Sequence, residues 1–258
     1  MNDNQGFGNL NLGDTQSVSI SEPLFFLSKS EPLVVWKDLG IQDYKNVWDL
    51  QEEHLQKIVN QKIEARTNAE IVPDHFLFFT EHPPVFTIGK SGLAEHLLIS
   101  EENLQKAGIQ YYKSNRGGDI TFHGPGQIVG YPILDLDQIY TDIHRYLREL
   151  EQVVIETLAF FGINNAGRKE GLTGVWIGEE KICAIGVRAS RWVTMHGFAL
   201  NVNTDLGYFD MIVPCGITDK AVTSMKKILG MEVEMESVKE QIRINFEKIF
   251  KVRLHHEI

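Results

Sequence analysis

The stretch Arg116-Gly117-Gly118-Asp119-Ile120-Thr121-Phe122-His123-Gly124-Pro125-Gly126-Gln127 places four glycines and a proline in twelve positions. That density lets backbone approach a ligand closely, or adopt φ > 0, where a Cβ would clash. Three readings are open: a phosphate cradle, a pair of tight turns, or a substrate-lining loop whose backbone N–H groups face an oxyanion, with Arg116 and His123 as polar anchors. The first fares poorly. A dinucleotide fingerprint needs G-x-G-x-x-G at a strand-to-helix turn, and here Gly124-Pro125-Gly126 runs into the strand-like Gln127-Ile128-Val129. No G-x-x-x-x-G-K-[ST] occurs either.

The rest of the chain sets the context. Its 258 residues are 43% hydrophobic and 23% charged, enough to bury a core without metal or disulfide staples. A net charge of −10 argues against generic nucleic-acid binding, which needs a basic footprint. No apolar run reaches the length of a membrane span, and Met1 to Glu22 is polar, without a signal-peptide core. A cytoplasmic protein that binds neither membrane nor nucleic acid is expected. With two cysteines, Cys183 and Cys215, there is no disulfide framework.

Residues 1–30 read as an N-terminal extension, with few bulky apolar groups in Met1–Ser19 and a more apolar Leu24-Phe25-Phe26-Leu27, and residues 31–258 as a single domain. Leu33-Val34-Val35-Trp36 predicts a strand. Asp43 caps a helix to about Ala65, with Val47, Trp48, Leu55, Ile58 and Val59 on one stripe. His75–Thr80, Val85–Gly89 and Ile128–Leu136 predict strands, and Asp137 opens a long helix that Gly162 ends. Thr173–Ile177 and Lys181–Val187 form a hairpin, Thr194–Asn203 a further strand, and Ser237–Phe250 the last helix. Strands and helices mix without regular βαβ alternation, so the fold class is α+β, a mixed sheet flanked by helices.

Cys183 lies inside an apolar strand and fits an inert buried thiol. Cys215 stands between Pro214 and Gly216 in a loop, where a thiol is a better nucleophile if a cation lowers its pKa. Lys181 starts an apolar strand; it is a hairpin-end lysine in water or a partner for a thiol, and period two leaves Cys183 on its face as well as Cys215 elsewhere. Metal binding is not expected: H-E-x-x-H and C-x-x-C are absent. The terminal His255 and His256 read as solvated.

Arg116-Gly117-Gly118 through His123-Gly124-Pro125-Gly126-Gln127 to Tyr131-Pro132-Ile133 resembles the signature of the lipoyl(octanoyl) transferases of lipoate biosynthesis. Glu81-His82-Pro83-Pro84-Val85-Phe86-Thr87-Ile88-Gly89, Gly174-Val175-Trp176, Lys181-Ile182-Cys183-Ala184-Ile185-Gly186, His196-Gly197-Phe198-Ala199-Leu200-Asn201-Val202-Asn203 and Pro214-Cys215-Gly216-Ile217 follow the family order. The resemblance covers about residues 32–250. It implies a biotin/lipoate-protein-ligase-like catalytic domain, no cofactor, and a catalytic pair of Cys215, the acyl-thioester nucleophile, and Lys181, which lowers the thiol pKa and acts as general acid and base. Substrate-lining positions map onto Arg116, Gly117, Gly118, Asp119, Ile120, Thr121, Phe122 and His123. Further ones map onto Ala184, Ile185 and Gly186, and onto Gly197, Phe198 and Ala199. Phe122 stands where many relatives have Tyr.

The resemblance further implies octanoyl-acyl carrier protein as donor. The implied acceptors are a lysine on lipoyl domains of 2-oxoacid dehydrogenases and the glycine cleavage H protein, served by a monomeric enzyme. An acidic carrier meeting an acidic enzyme requires a local basic patch, for which Arg188, Arg191, Lys226 and Lys227 are candidates. Three rivals remain: an ATP-dependent lipoate or biotin ligase, which needs no Cys215; a cysteine thioesterase; and a silent carrier-protein-binding module.

Overall fold

Alternation along three strands decides how the protein is layered. In the computed structural model, which describes residues 31–213 and 221–256, the chain begins with β1 (Leu33–Ile41), α1 (Tyr44–Glu64), β2 (Phe76–Glu81) and β3 (Val85–Ile88). It continues through α2 (Glu101–Lys106), β4 (Gln110–Lys113), β5 (Ile120–His123), β6 (Gln127–Ile133) and α3 (Ile143–Phe160). Then come β7 (Ala166–Lys169), β8 (Leu172–Ile177), β9 (Glu180–Ser190), β10 (Val193–Asn201), α4 (Met225–Leu229), α5 (Met235–Phe250) and β11 (Arg253–His256). The expected extension 1–30 and the Pro214-Cys215-Gly216 loop lie outside the described residues.

An eight-stranded sheet has the order β11-β1-β2-β6-β10-β9-β8-β7, and β4-β3-β5 form a three-stranded sheet. β1 pairs in parallel with both β11 and β2, whereas β2–β6, β6–β10 and β10–β9 are antiparallel, so the large sheet is mixed. Leu77 and Phe79 of β2, Ile128 of β6 and Phe198 and Leu200 of β10 join one core with Tyr146, Leu150 and Val154 of α3 and Ile242 and Phe246 of α5. The intervening Phe76, Phe78, Val129, Tyr131 and Ala199 join a second core with Val47, Leu55 and Ile58 of α1. Period two in the strands and 3.6 in the helices thus put α3 and α5 on one face and α1 on the other. The fold is the mixed, helix-flanked α+β domain that the sequence predicts.

Helix boundaries follow the caps. The Asp43 carboxylate accepts from the Lys45 N–H (2.8 Å) and starts α1 as predicted. Asp137 does not open α3. The carboxylate of Asp142 accepts from the Arg145 N–H (2.9 Å), so the helix begins at Ile143, and Leu136–Gln138 is a separate 3₁₀ turn capped by Asp135. His255 and His256 are exposed, as expected, and belong to β11, where the His256 ring meets Trp36 at 4.3 Å. Among the described residues no helix is long and apolar enough to cross a membrane.

Candidate active site

A cavity of about 470 Å³ opens between β6, β9 and β10 of the large sheet and the segment that runs through β5 of the small one. Its volume falls within the roughly 300–1,000 Å³ of small-ligand sites. Arg116, Gly118, Asp119, Ile120, Thr121 and His123 line it from the glycine-rich segment. Ala184, Ile185 and Gly186 of β9 and Gly197, Phe198 and Ala199 of β10 form further wall, and Lys181 reaches it from the start of β9. Two expected lining residues do not. Gly117 turns its N–H to the Val187 carbonyl (2.9 Å), fastening the loop to β9. Phe122, 1% exposed, alternates into the small-sheet core, where it stacks on Tyr208 at 4.5 Å.

The Arg116 side chain is built into the loop that carries it. Nη2 donates to the carbonyls of Thr87 (2.6 Å) and Asp119 (2.7 Å), Nη1 to the Gly117 carbonyl (3.0 Å), and Nε to Thr87 Oγ1 (3.2 Å). A planar fork of donors suits this task, which a point-charge ammonium would not perform. Gly186 lets the loop come close: a Cβ there would lie 2.7 Å from the Gly117 carbonyl oxygen and 3.3 Å from Arg116 Cδ. Asp119 Oδ1 accepts from the Ile120 N–H (2.7 Å), and Oδ2 lies 2.6 Å from His96 Nδ1, off the ring N–H axis. Both side chains face the cavity.

Lys181 is half-buried, and its Nζ sits 4.7 Å from the centre of the Trp176 ring, a face that attracts a cation. Its backbone N–H donates to the Ala221 carbonyl (2.9 Å), and its carbonyl accepts from the Thr223 N–H (3.0 Å), in a parallel bridge between Lys181 and Val222. On the far side of the 214–220 segment, the Val213 N–H donates to the carbonyl of His96 (2.8 Å). Both attachment points belong to cavity-lining residues. Cys215 itself lies outside the described residues.

Histidines make up much of the polar wall. His123 Nδ1 contacts Gln127 Oε1 at 2.8 Å. His196, at φ 57°, has its N–H on Gln51 Oε1 (2.8 Å) and its ring Nε2 2.6 Å from Asn115 Oδ1. Backbone held in the left-handed region by a bulky residue is strained, and such strain gathers at functional sites. Behind them the Gln42 carbonyl and the Tyr131 hydroxyl hold His82 at 2.7 and 2.8 Å. Burial pushes the His123 and His196 imidazoles down to about 3, helped by the His82 ring and Arg116 at the first and by Arg116 and Arg188 at the second. Burial likewise lowers His82 to about 4.

The lipoyl protein ligase A/B catalytic domain matches residues 43–247. The chain belongs to this family. It is 54% identical to the octanoyltransferase of Christiangramia forsetii over 228 residues, covering 86% of this chain and 97% of that protein. It is 56% identical to the octanoyltransferase of Flavobacterium johnsoniae over 225 residues, covering 84% and 97%. Among solved structures, a bipartite lipoate protein ligase of an archaeal lipoylation system from Thermoplasma acidophilum, described with its E2 lipoyl domain, superposes with a TM-score of 0.66. It is 18% identical, and the match covers 88% of this chain and 86% of that one. Lipoate-protein ligase A bound with ATP gives a TM-score of 0.65 at 16% identity, over 88% of each chain. These two structures share the fold of the lipoyl ligase family with this chain.

Within this ligase-family domain the second cysteine stands apart. Cys183 is fully buried, is not among the cavity-lining residues, and has its thiol pKa pushed up by burial. The basic patch expected from Arg188, Arg191, Lys226 and Lys227 is largely neutralised. Arg188 pairs with Glu52 (2.7 Å), Lys226 with Glu232 (2.8 Å) and Lys227 with Glu180 (2.6 Å), because each cation lies beside a carboxylate brought in by another segment. His82, Gln127, His196 and Asn201 were not singled out by sequence reasoning. All four stand inside family-like blocks, and His196 directly precedes the lining residues Gly197 to Ala199.

Proposed function

We propose that the protein takes an octanoyl group from the thioester of acyl carrier protein onto Cys215 and passes it to a lysine of a lipoyl domain, with Lys181 assisting both halves. The protein is an octanoyltransferase, as its relatives at more than half identity are named. The observation that carries the mechanistic reading is the attachment of the segment flanking Cys215: Ala221 and Thr223 pair with the backbone of Lys181, a residue of the cavity wall. That pairing supports Lys181 and Cys215 as partners.

The chemistry accounts for the residue types. Attack of the Cys215 thiolate on the donor exchanges one thioester for another at little cost in free energy. The acceptor amine then forms an amide, which is downhill, and the thiol leaves. A serine would form a more stable ester and slow the second step. The ammonium of Lys181 stabilises the Cys215 thiolate, gives its proton to the departing carrier thiol, and then, as the neutral amine, takes a proton from the attacking lysine as Cys215 leaves as thiolate. Val129, Leu172, Ile185 and Phe198 offer apolar wall for the chain, at roughly 0.8 kcal/mol per buried CH₂. The archaeal ligase described with its E2 lipoyl domain supports a lipoyl-domain acceptor for this fold.

Intact-mass analysis after mixing with octanoyl-acyl carrier protein, without ATP, tests the reading. One octanoyl mass should appear, vanish in Cys215→Ser, persist in Cys183→Ser, and move to an added lipoyl domain. An adduct surviving Cys215→Ser rejects Cys215, release of free octanoate alone indicates a thioesterase, and a requirement for ATP indicates a ligase.

A further inference from the structure

Two hydrogen-bond chains end in the cavity, and each fixes the tautomer of an imidazole. The Phe122 carbonyl can only accept, so the Gln127 amino group must face it (3.1 Å); the same group donates to Asn201 Oδ1 (2.9 Å). Asn201 is oriented in turn by its Nδ2, which donates to the Thr223 carbonyl (3.1 Å). Gln127 therefore presents its oxygen to His123, whose Nδ1 must carry the proton and donate (2.8 Å). Nε2 of His123 is left as a bare acceptor.

The second chain starts at Arg188, which donates to the Glu52 carboxylate (2.7 and 3.0 Å). Glu52 can only accept, so Asn115 turns its Nδ2 toward it (2.7 Å) and its Oδ1 toward His196. Nε2 of His196 then carries the proton and donates at 2.6 Å, leaving Nδ1 bare. Neither bare nitrogen has a partner among the described residues, neither is a sealed buried atom, and both rings line the cavity. Each ring is at least nine-tenths buried.

An acyl thioester has no hydrogen-bond donor, so two bare acceptors do nothing for it. A primary amine in its reactive, neutral form has two N–H donors and one lone pair. Two fixed acceptors that take both N–H groups also fix the direction of that lone pair. Arg116 lines the same cavity and its charge acts on both rings, so an ammonium is disfavoured there relative to the neutral amine. Resting on octanoyl transfer to a lysine as proposed above, we infer that His123 and His196 form the subsite for the attacking amine, accepting its two N–H groups through His123 Nε2 and His196 Nδ1. Gln127, Asn201, Asn115 and Glu52 are positioning residues that keep those two nitrogens unprotonated and pointed inward. The Gln127–Asn201 chain ends on Thr223, which is paired with Lys181, so the amine subsite and the Lys181 strand are braced together.

The test uses octanoyl-enzyme formed in full-length protein and then offered a folded lipoyl domain. The partition between octanoyl-lysine and free octanoate is measured, a ratio that does not depend on how much enzyme was loaded. His123→Phe, which keeps a ring but no acceptor, and Gln127→Glu, which invites a proton onto Nε2, should each lower the ratio roughly tenfold or more, as loss of one or two hydrogen bonds predicts. His196→Asn, a residue that tolerates positive φ, should act in the same direction. On wild-type protein labelled with ¹⁵N-histidine, long-range ¹H–¹⁵N correlations at pH 7 should show Nδ1–H for His123 and Nε2–H for His196. An unchanged partition ratio, including one accompanied by slow loading, assigns the rings to the acyl donor and overturns the inference. Reversed tautomers or imidazolium signals overturn it even if the variants fail to fold. If wild-type protein acquires no octanoyl group at all, the transfer reading falls first and the subsite with it.

Discussion

The carbonyl of Lys181 accepts a hydrogen bond from the N–H of Thr223 at 3.0 Å. Thr223 follows the 214–220 segment directly through Ala221 and Val222, so the strand that carries the lysine also tethers the chain leaving Cys215. On the proposed mechanism, position 181 is expected to tolerate little change. Lys181→Ala should lower acyl loading by about 100-fold or more, as removal of an acid–base group does, while leaving the backbone bridge intact. Lys181→Arg keeps a cation but cannot give up its proton, so it should load better than it transfers. Single-turnover loading and transfer, measured separately, check this.

Gly186 allows the glycine-rich loop to rest on β9. A methyl at this position would meet the Gly117 carbonyl oxygen at 2.7 Å and Arg116 Cδ at 3.3 Å, and neither is the free end of a flexible chain. Gly186→Ala should therefore push the loop away and cost about 1–3 kcal/mol, the usual range for overpacking. Activity should fall with it, because the displaced segment carries His123 and Asp119. Urea denaturation with a parallel transfer assay reads both.

How much of this was legible in the sequence depends on the range of the interaction. Asp43 capping α1 and the continuous apolar runs of β2 and β6 are local, and the chain shows them plainly. The pairing of β1 with β11 joins residues from opposite ends of the chain, and no local period announces it. In the site, the glycines of the 116–127 run were visible because they are contiguous. The acceptor pair was not: Gln127 reaches Asn201, and Asn115 reaches His196, across loops whose closure only the fold determines. Phe122 was misjudged for a related reason. It sits between the lining residues Thr121 and His123, but the small-sheet core draws it away from the cavity.

Phe122 yields a stability prediction rather than a binding one. Its ring is packed by Phe86, Tyr208 and Phe209. Phe122→Ala should cost about 3–5 kcal/mol, as large-to-small changes of aromatic residues in a core do. Variants that fold should keep the partition between lysine and water close to that of the wild type. A chemical melt alongside the partition assay separates the two effects.

Acid should destabilise this protein before its carboxylates titrate. An exposed histidine binds its proton near pH 6.5, whereas His123 and His196 in the fold do so only near pH 3, and His82 near 4, burial being the main cause in each. Between these limits the unfolded chain binds more protons than the folded one, so stability rises with pH across the window. The contribution is fully present above about pH 6.5 and is lost as pH falls toward 3. Asp43, Glu52 and Asp74, whose pKa values are lowered, add the same sign only further down. Burial also lowers His75, which adds the same sign, so urea midpoints should decline steadily from pH 7 to pH 4.5, and His123→Phe should flatten that decline by removing one of these four imidazoles. A wild-type midpoint that does not move between pH 7 and pH 4.5 would contradict the neutral, buried state of these rings.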